Sequence, residues 1–403
     1  MANFIVSDAL GRIAPSPTIA ISQKARDLKA AGRDVIALAA GEPDFPTPEH
    51  IAEAGIQAIR DGKTGYTAVD GIPELKQAVA EKFRRDNDLA YDPASEVAVT
   101  SGGKFMIYAA MVASLNPGDE VIIPAPYWVS YPGIVSLCGG KPVIAKTSEE
   151  QCFKLTAEAL EAAITDKTRW LILNSPGNPT GAVMDREDLA ALAEVLERHP
   201  HVWVLTDDIY EHITYDAAFA TIASVAPALK ERTLTMNGAS KAYSMTGWRI
   251  GFGGGPAPLM ASIRKLLGQS TTNPCSISQW AAVAALNGDH SFMADRAAAF
   301  RGRRDMLLDA FSAMPGITCA KPEGAFYLYP SVAGLIGRSI DGRRLETDVD
   351  VCEALLEREN VALVPGTAFG LAPFARLSYA ASMEQLEEAA SRMTRFCNAV
   401  AGS

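Results

Sequence analysis

Long apolar runs are missing from this chain: no stretch approaches the roughly 20 residues that a helix needs to cross a bilayer. The opening Met1-Ala2-Asn3-Phe4-Ile5-Val6-Ser7-Asp8 lacks both the basic region and the apolar length of a signal peptide, which points to a cytoplasmic protein. No block of lysine and arginine stands out either. Thirty-seven basic against 47 acidic residues leave a net charge of -10, so neither nucleic acid nor an anionic membrane is an expected partner. Cysteine is scarce. The six, Cys138, Cys152, Cys275, Cys319, Cys352 and Cys397, show no C-x-x-C spacing and read as reduced core thiols, not as disulfides. Histidine is equally thin; His199 and His201 flank Pro200 with no cysteines nearby, so no metal site is expected.

What the chain does have is material for a large core: 403 residues, 48% hydrophobic and 21% charged, enough for two domains of ordinary size. Between residues 96 and 236 one unit recurs: a short apolar run, a Gly/Pro-rich loop, then a helical pattern. That alternation predicts an α/β fold with a mostly parallel central sheet covered by helices on both faces. Five apolar runs each end in chemically capable residues. The run 97–100 leads to Ser101-Gly102-Gly103-Lys104, 121–123 to Pro124-Ala125-Pro126-Tyr127-Trp128, and 170–173 to Asn174-Ser175-Pro176-Gly177-Asn178. The run 202–205 leads to Thr206-Asp207-Asp208-Ile209-Tyr210, and 233–236 to Asn237-Gly238-Ala239-Ser240-Lys241. Carboxyl ends of strands are where such sheets bind ligands.

Helices are expected over 19–31, ending at Gly32, from about Pro48, and over 186–198 behind an Asp185 cap, with Leu189, Leu192, Ala193 and Leu196 on one face. A strand is expected over 35–39, and one long helical region from Ser276 past Arg304. The C-terminal part alternates differently: a strand-like 324–329, a polar loop over 337–344, a helix near 349–358, a run at 361–364 and a strand over 375–379. A final helix carries the stripe Leu386, Ala389, Ala390, Met393 and Phe396.

Taken singly, these residues mean little. A lone lysine is usually a solvated charge, an aspartate after a strand usually a turn residue, and an arginine in a strand usually half of a surface ion pair. Their joint pattern is another matter. Ser240-Lys241-Ala242-Tyr243-Ser244-Met245-Thr246-Gly247-Trp248-Arg249-Ile250-Gly251 resembles the active-site signature S-K-x-Y-x-M-T-G-W-R-x-G of the class I (fold type I) pyridoxal-phosphate aminotransferases. The similarity is to their bacterial aspartate aminotransferase branch and runs in register from Pro15 to the last helix.

The resemblance implies pyridoxal 5'-phosphate as cofactor, and a division into an arm and part of a small domain (1–45), a large cofactor-binding domain (46–296) and a small C-terminal domain (297–403). It implies Lys241 as the amine that links to the cofactor and then carries the proton, Asp207 as the carboxylate facing the ring nitrogen, with Asp208 as a near decoy, and Tyr210 and Asn178 as hydrogen-bond donors to the ring's phenolic oxygen. Trp128 would stack on the ring. Gly102, Gly103 and Lys104 would hold the phosphate through backbone N–H groups at a helix N-terminus, helped by Ser240 and Arg249. Arg376 would clamp the substrate's α-carboxylate, near the Gly41 backbone of the turn Gly41-Glu42-Pro43-Asp44-Phe45. Tyr66 would reach the cofactor phosphate of a neighbouring subunit, which implies a homodimer with shared active sites.

The implied reaction moves the α-amino group of L-aspartate to 2-oxoglutarate by a ping-pong course. One departure bears on it: where the branch commonly has K-P-S-x-T, this chain has Ala14-Pro15-Ser16-Pro17-Thr18, so Arg12 or Ser16 is the expected replacement at the substrate side chain, with weak prephenate use. Aromatic or neutral amino acids, prephenate and β-elimination remain alternatives. A cofactor-sensing transcription regulator is disfavoured, since only about forty residues precede Gly41 and such proteins carry a DNA-binding domain there. Other signatures fail on their own terms. Gly251-Phe252-Gly253-Gly254-Gly255-Pro256 lacks the last glycine of a dinucleotide fingerprint, Ser101-Gly102-Gly103-Lys104-Phe105 lacks the hydroxyl of a Walker loop, and Gly238-Ala239-Ser240-Lys241-Ala242 lacks the closing glycine of a nucleophile elbow.

Overall fold

A computed structural model describes residues 5–15 and 17–402; the Ser16 expectation lies outside them. The apolar runs form the centre of the fold, because strands covered on both faces must be apolar on both. Val97–Thr100, Thr233–Gly238 and Gly251–Gly254 are buried at every position. Seven strands lie in the order Val97–Thr100, Gly251–Gly254, Thr233–Gly238, Trp203–Asp207, Thr168–Asn174, Glu120–Ala125, Lys141–Lys146. All pair in parallel except Gly251–Gly254, which is antiparallel to both neighbours. This is the α/β, fold type I architecture. Glycine in the antiparallel strand has a local cause: a Cβ on Gly251 would sit 2.2 Å from the Gly103 nitrogen, so the loop after the first strand passes only because that side chain is absent.

Helix Arg186–Arg198 begins at an Asp185 capping box completed by Asp188, and its leucine face is buried. The expected strand at 35–39 contracts to Ile36–Ala37, which pairs in parallel with Val361–Ala362. Ile36 and Leu38 share one core with Phe300, Phe326, Leu377 and the stripe Leu386, Ala389, Ala390, Met393 and Phe396 of helix Met383–Ala401. The N-terminal segment thus packs with the C-terminal part.

Three expectations need correction. The long helical region is two helices, Ser276–Asn287 and Phe292–Ser312, parted at Gly288, where a Cβ would meet the Ala284 carbonyl at 2.5 Å. The strand at 324–329 is only Tyr327–Leu328, because Ala325 takes a left-handed φ of 55° that no extended strand continues through. The loop at 337–344 contains a small hairpin, Ser339–Ile340 with Arg343–Arg344. Tyr327–Leu328, Ala375–Ser378 and Val364–Pro365 make a three-stranded antiparallel sheet that faces the carboxyl ends of the large one.

Candidate active site

The cavity between those two sheets has a volume of about 410 Å³. Four of the five strand-end loops, the signature loop, the turn at 39–42 and two strands of the small sheet all reach it.

At one end lies the start of helix Gly103–Ser114, whose free N–H groups and positive dipole end suit an anion. Gly102 caps it at φ 88°, and a Cβ there would fall 2.3 Å from Arg249 Nη2. Glycine is therefore needed for the guanidinium to lie against the loop. Arg249 is held by its Nη1 donating to the Thr246 carbonyl at 2.9 Å, and Ser240 lines the same end. Helix dipole, guanidinium and hydroxyl together suit a multiply charged anion such as a phosphate.

Lys241 lies in the middle. Its Nζ donates to the Gly41 carbonyl and sits 5.8 Å from the centre of the Tyr210 ring. Burial, reinforced by the nearby Arg376 charge, brings its amine down to about 8 from 10.5. Beyond it stands Asp207, buried at 5% exposure, whose Oδ2 accepts from Tyr131 Oη at 2.7 Å and whose Oδ1 accepts from the Ile209 N–H at 3.3 Å. Burial raises its carboxyl to about 6. A cationic nitrogen heterocycle placed against it would supply the missing countercharge.

The opposite wall belongs to Arg376. Its Nη1 donates to Asn178 Oδ1 at 3.1 Å and its Nη2 to the Ala39 carbonyl, and the guanidinium lies 4.8 Å from the Tyr327 ring centre. Its Nε is buried with no hydrogen-bond partner among the described residues, an unmet donor suited to a carboxylate oxygen. The donor set, the glycine-made cradle and this orphan fit a phosphorylated pyridinium aldehyde together with a carboxylate substrate.

Of the residues singled out from sequence, Gly41, Gly103, Lys104, Trp128, Asn178, Asp207, Tyr210, Ser240, Lys241, Arg249 and Arg376 line this one cavity, with Gly102 directly behind it. Arg12 does not. Its guanidinium donates to the Ser136 carbonyl at 2.9 Å and to the Leu137 carbonyl at 3.4 Å, at the carboxyl end of helix Ser130–Leu137. Tyr66 lies outside this chain's cavity and is 92% exposed. Sequence reasoning missed Tyr131, Tyr327 and Glu42. Tyr131 sits three residues past the noted Pro124–Trp128 loop, and the first turn of helix Ser130–Leu137 brings it to Asp207. Tyr327 sits in a segment read as a plain strand. Glu42 accepts from Thr246 Oγ1, lacing the 39–42 turn to the signature loop.

This fold and site define a fold type I pyridoxal-phosphate-dependent transferase. The model of the family "Aminotransferase class I and II" matches residues 33–393, and the chain belongs to that family: it is a pyridoxal-phosphate-dependent aminotransferase. It is 55% identical to the aspartate/prephenate aminotransferase of Cereibacter sphaeroides over 97% of this chain and 98% of that protein. Among solved structures it is similar to the aspartate aminotransferase of Rhizobium meliloti, with a TM-score of 0.96 at 50% identity, covering 99% of this chain and 100% of the other. Thermus thermophilus aspartate aminotransferase with maleate matches with a TM-score of 0.92 at 42% identity, covering 98% and 100%. No helix among the described residues is long and apolar enough to cross a membrane.

Proposed function

We propose that this enzyme transfers the amino group of L-aspartate to 2-oxoglutarate. The observation that carries this is a second unpaired cation in the cavity besides Arg376. Arg376 is the fork for the α-carboxylate. Lys104 is a second cavity-lining cation, its amine 4.8 Å from the Trp128 ring centre, with no carboxylate partner among the described residues. Burial, then the neighbouring Arg249 charge, lowers the Lys104 pKa, so an incoming distal carboxylate would relieve both costs. With Arg12 engaged on a helix end, Lys104 is the better counter-ion for a dicarboxylic substrate.

When bound, pyridoxal phosphate supplies the electron sink that stabilises charge at the substrate's α-carbon. In this reading the chain's residues do the rest. Asp207 keeps the ring nitrogen protonated, Tyr210 and Asn178 hydrogen-bond the phenolic oxygen, Trp128 covers a ring face, and the backbone at 102–104 with Ser240 and Arg249 anchors the phosphate. Lys241, with its amine brought down to about 8, would be the group that takes the substrate's α-proton and hands it on. Gly41 and Arg376 orient the substrate. The enzyme is cytoplasmic, with the large domain at 46–296 and the small one built from 1–45 and 297–403. It works as a homodimer in which the exposed Tyr66 completes the partner's phosphate site. Mixing Tyr66→Phe with Lys241→Ala subunits then yields one intact site per mixed dimer; an active monomer in sedimentation overturns this.

The substrate test is kcat/KM for aspartate, phenylalanine and alanine in the wild type, Lys104→Ala and Arg12→Ala. Losing the distal cation should cost aspartate about 2–5 kcal/mol relative to alanine. Lys104→Ala is expected to show this loss and Arg12→Ala is not. Aspartate no better than alanine in the wild type defeats the dicarboxylate reading. Prephenate, also a dicarboxylate, is the second reading because of the relative's name; with Ala14 in place of lysine it is expected to be the poorer acceptor, measured with aspartate as donor.

A further inference from the structure

We infer that Tyr327 is a positioning residue that polarises Tyr210, so that two hydroxyls in series, not one, act on the cofactor's phenolic oxygen. The inference rests on the proposed contact of Tyr210 with that oxygen. The two hydroxyl oxygens lie 2.7 Å apart, and each is the other's only hydrogen-bond partner among the described residues. Both side chains are buried, at 3% exposure for Tyr210 and 0% for Tyr327, so water does not compete for the bond. Their rings meet edge to face at 5.8 Å, which fixes the approach.

The direction of the pair follows from counting protons. Two hydroxyls hold two protons. An anionic phenolic oxygen can only accept, and a bond to an anion is about twice as strong as one between neutral groups, so it accepts the hydrogen bond of Tyr210. Tyr327 then has one acceptor in reach, the lone pair of Tyr210. The surroundings favour the same order. The Arg376 guanidinium over the Tyr327 ring, 4.8 Å from its centre, opposes the rise in pKa that burial imposes and makes this hydroxyl the readier donor. The turn at 39–42 leaves room for it: a Cβ on Gly41 would stand 2.7 Å from Tyr327 Oη. Hydrogen bonds in a chain strengthen one another by about 10–30% per link.

The backbone ties this relay to the substrate clamp. Tyr327 pairs with Ser378 on the strand Ala375–Ser378, which also carries Arg376, so one strand pair holds both the carboxylate fork and the outer hydroxyl. Tyr210 comes from the large sheet, 117 residues earlier, so the hydroxyl pair joins the two halves of the site.

The test is a pH titration of the bound cofactor's visible absorbance in the holoenzyme, a readout independent of turnover. A donor to the phenolic oxygen favours its unprotonated form, so weakening that donor raises the midpoint. Tyr210→Phe is expected to raise it most. Tyr327→Phe is expected to raise it by roughly 0.3 of a pH unit, the size that follows from losing one polarising link. In the Tyr210→Phe background, Tyr327→Phe is expected to add nothing, which separates action through Tyr210 from a general packing effect. An unchanged or lowered midpoint in Tyr327→Phe, or an equal shift in both backgrounds, overturns the relay. No shift in Tyr210→Phe itself removes the contact on which the relay rests, and the proposed role of Tyr210 with it.

Discussion

Asp207 and Asp208 are adjacent, both buried, and both raised above the ordinary carboxylate range by that burial, yet they serve different regions. Strand Trp203–Asp207 ends between them, and successive side chains leave a strand end on opposite sides. Asp207 enters the cavity. Asp208 is absent from its lining, accepts from Thr206 Oγ1 at 2.6 Å, and faces a buried cluster behind the sheet. There Lys82 pairs with Glu211 and donates to Asn87 Oδ1 at 2.6 Å, Asn87 Nδ2 donates to Glu211 Oε2 at 2.7 Å, and His212 Nε2 lies 3.2 Å from Glu211 and 3.5 Å from Asp86. Charges in that cluster answer one another. Those in the cavity, namely Lys241, Asp207 and Arg376, hydrogen-bond only to neutral groups among the described residues, with Lys241 feeling Asp207 and Glu42 at a distance, and so are prepared for charged ligands. Burial of charge is common to both regions; what marks the functional one is that its partners are missing.

The sharpest break is Lys241→Ala. Turnover is expected to vanish while circular dichroism and the unfolding midpoint stay near wild type, since no other amine is placed to move the proton; near-wild-type transamination would contradict the role. Next in size is the cluster. Lys82→Ala removes one of the two cations facing buried Glu211, leaving only His212, and should cost about 3–5 kcal/mol in urea unfolding, whereas Lys82→Met with Glu211→Leu should cost much less. Equal losses in the two variants would mean the ion pair is not what matters there. Asp207→Ala should lower kcat/KM by about 10²–10³ as a preorganised electrostatic contact, and Asp208→Ala far less. Similar mild effects from both would erase the distinction between the two aspartates.

The last test is in pH. Asp208 rises to about 7 from 3.8 because burial penalises its charged form, with Glu211 adding repulsion. Its folded-state pKa lies above the unfolded one, so its contribution to stability is full below about pH 4 and is lost as pH rises toward 7. Wild type should therefore lose stability relative to Asp208→Asn across that window, by at most about 1.4 kcal/mol per pH unit. A flat difference between the two unfolding curves from pH 4 to 7 would refute the shift. Glu211 has the opposite sign: Lys82 and His212 outweigh its burial and hold it near 2, so its contribution is present above about 4.5 and fails only in acid.

Much of this was legible in the residues. The α/β alternation, the helix Arg186–Arg198 with its cap, the final helix and the strand-end positions of Lys241, Asp207 and Asn178 follow from local rules: apolar period, turn residues and caps act within a few residues of chain. The signature around Lys241 carried the family and the cofactor because Ser240, Lys241 and Arg249 stand on one loop within ten residues of chain. The outcome for Arg12 was not legible, since it depends on the end of a helix 124 residues away, which claims its guanidinium. Nor were Tyr131 at Asp207 and Tyr327 at Tyr210, contacts 76 and 117 residues apart along the chain. No local period encodes which side chains meet across a cavity; that is settled only when the two sheets pack and bring their ends together.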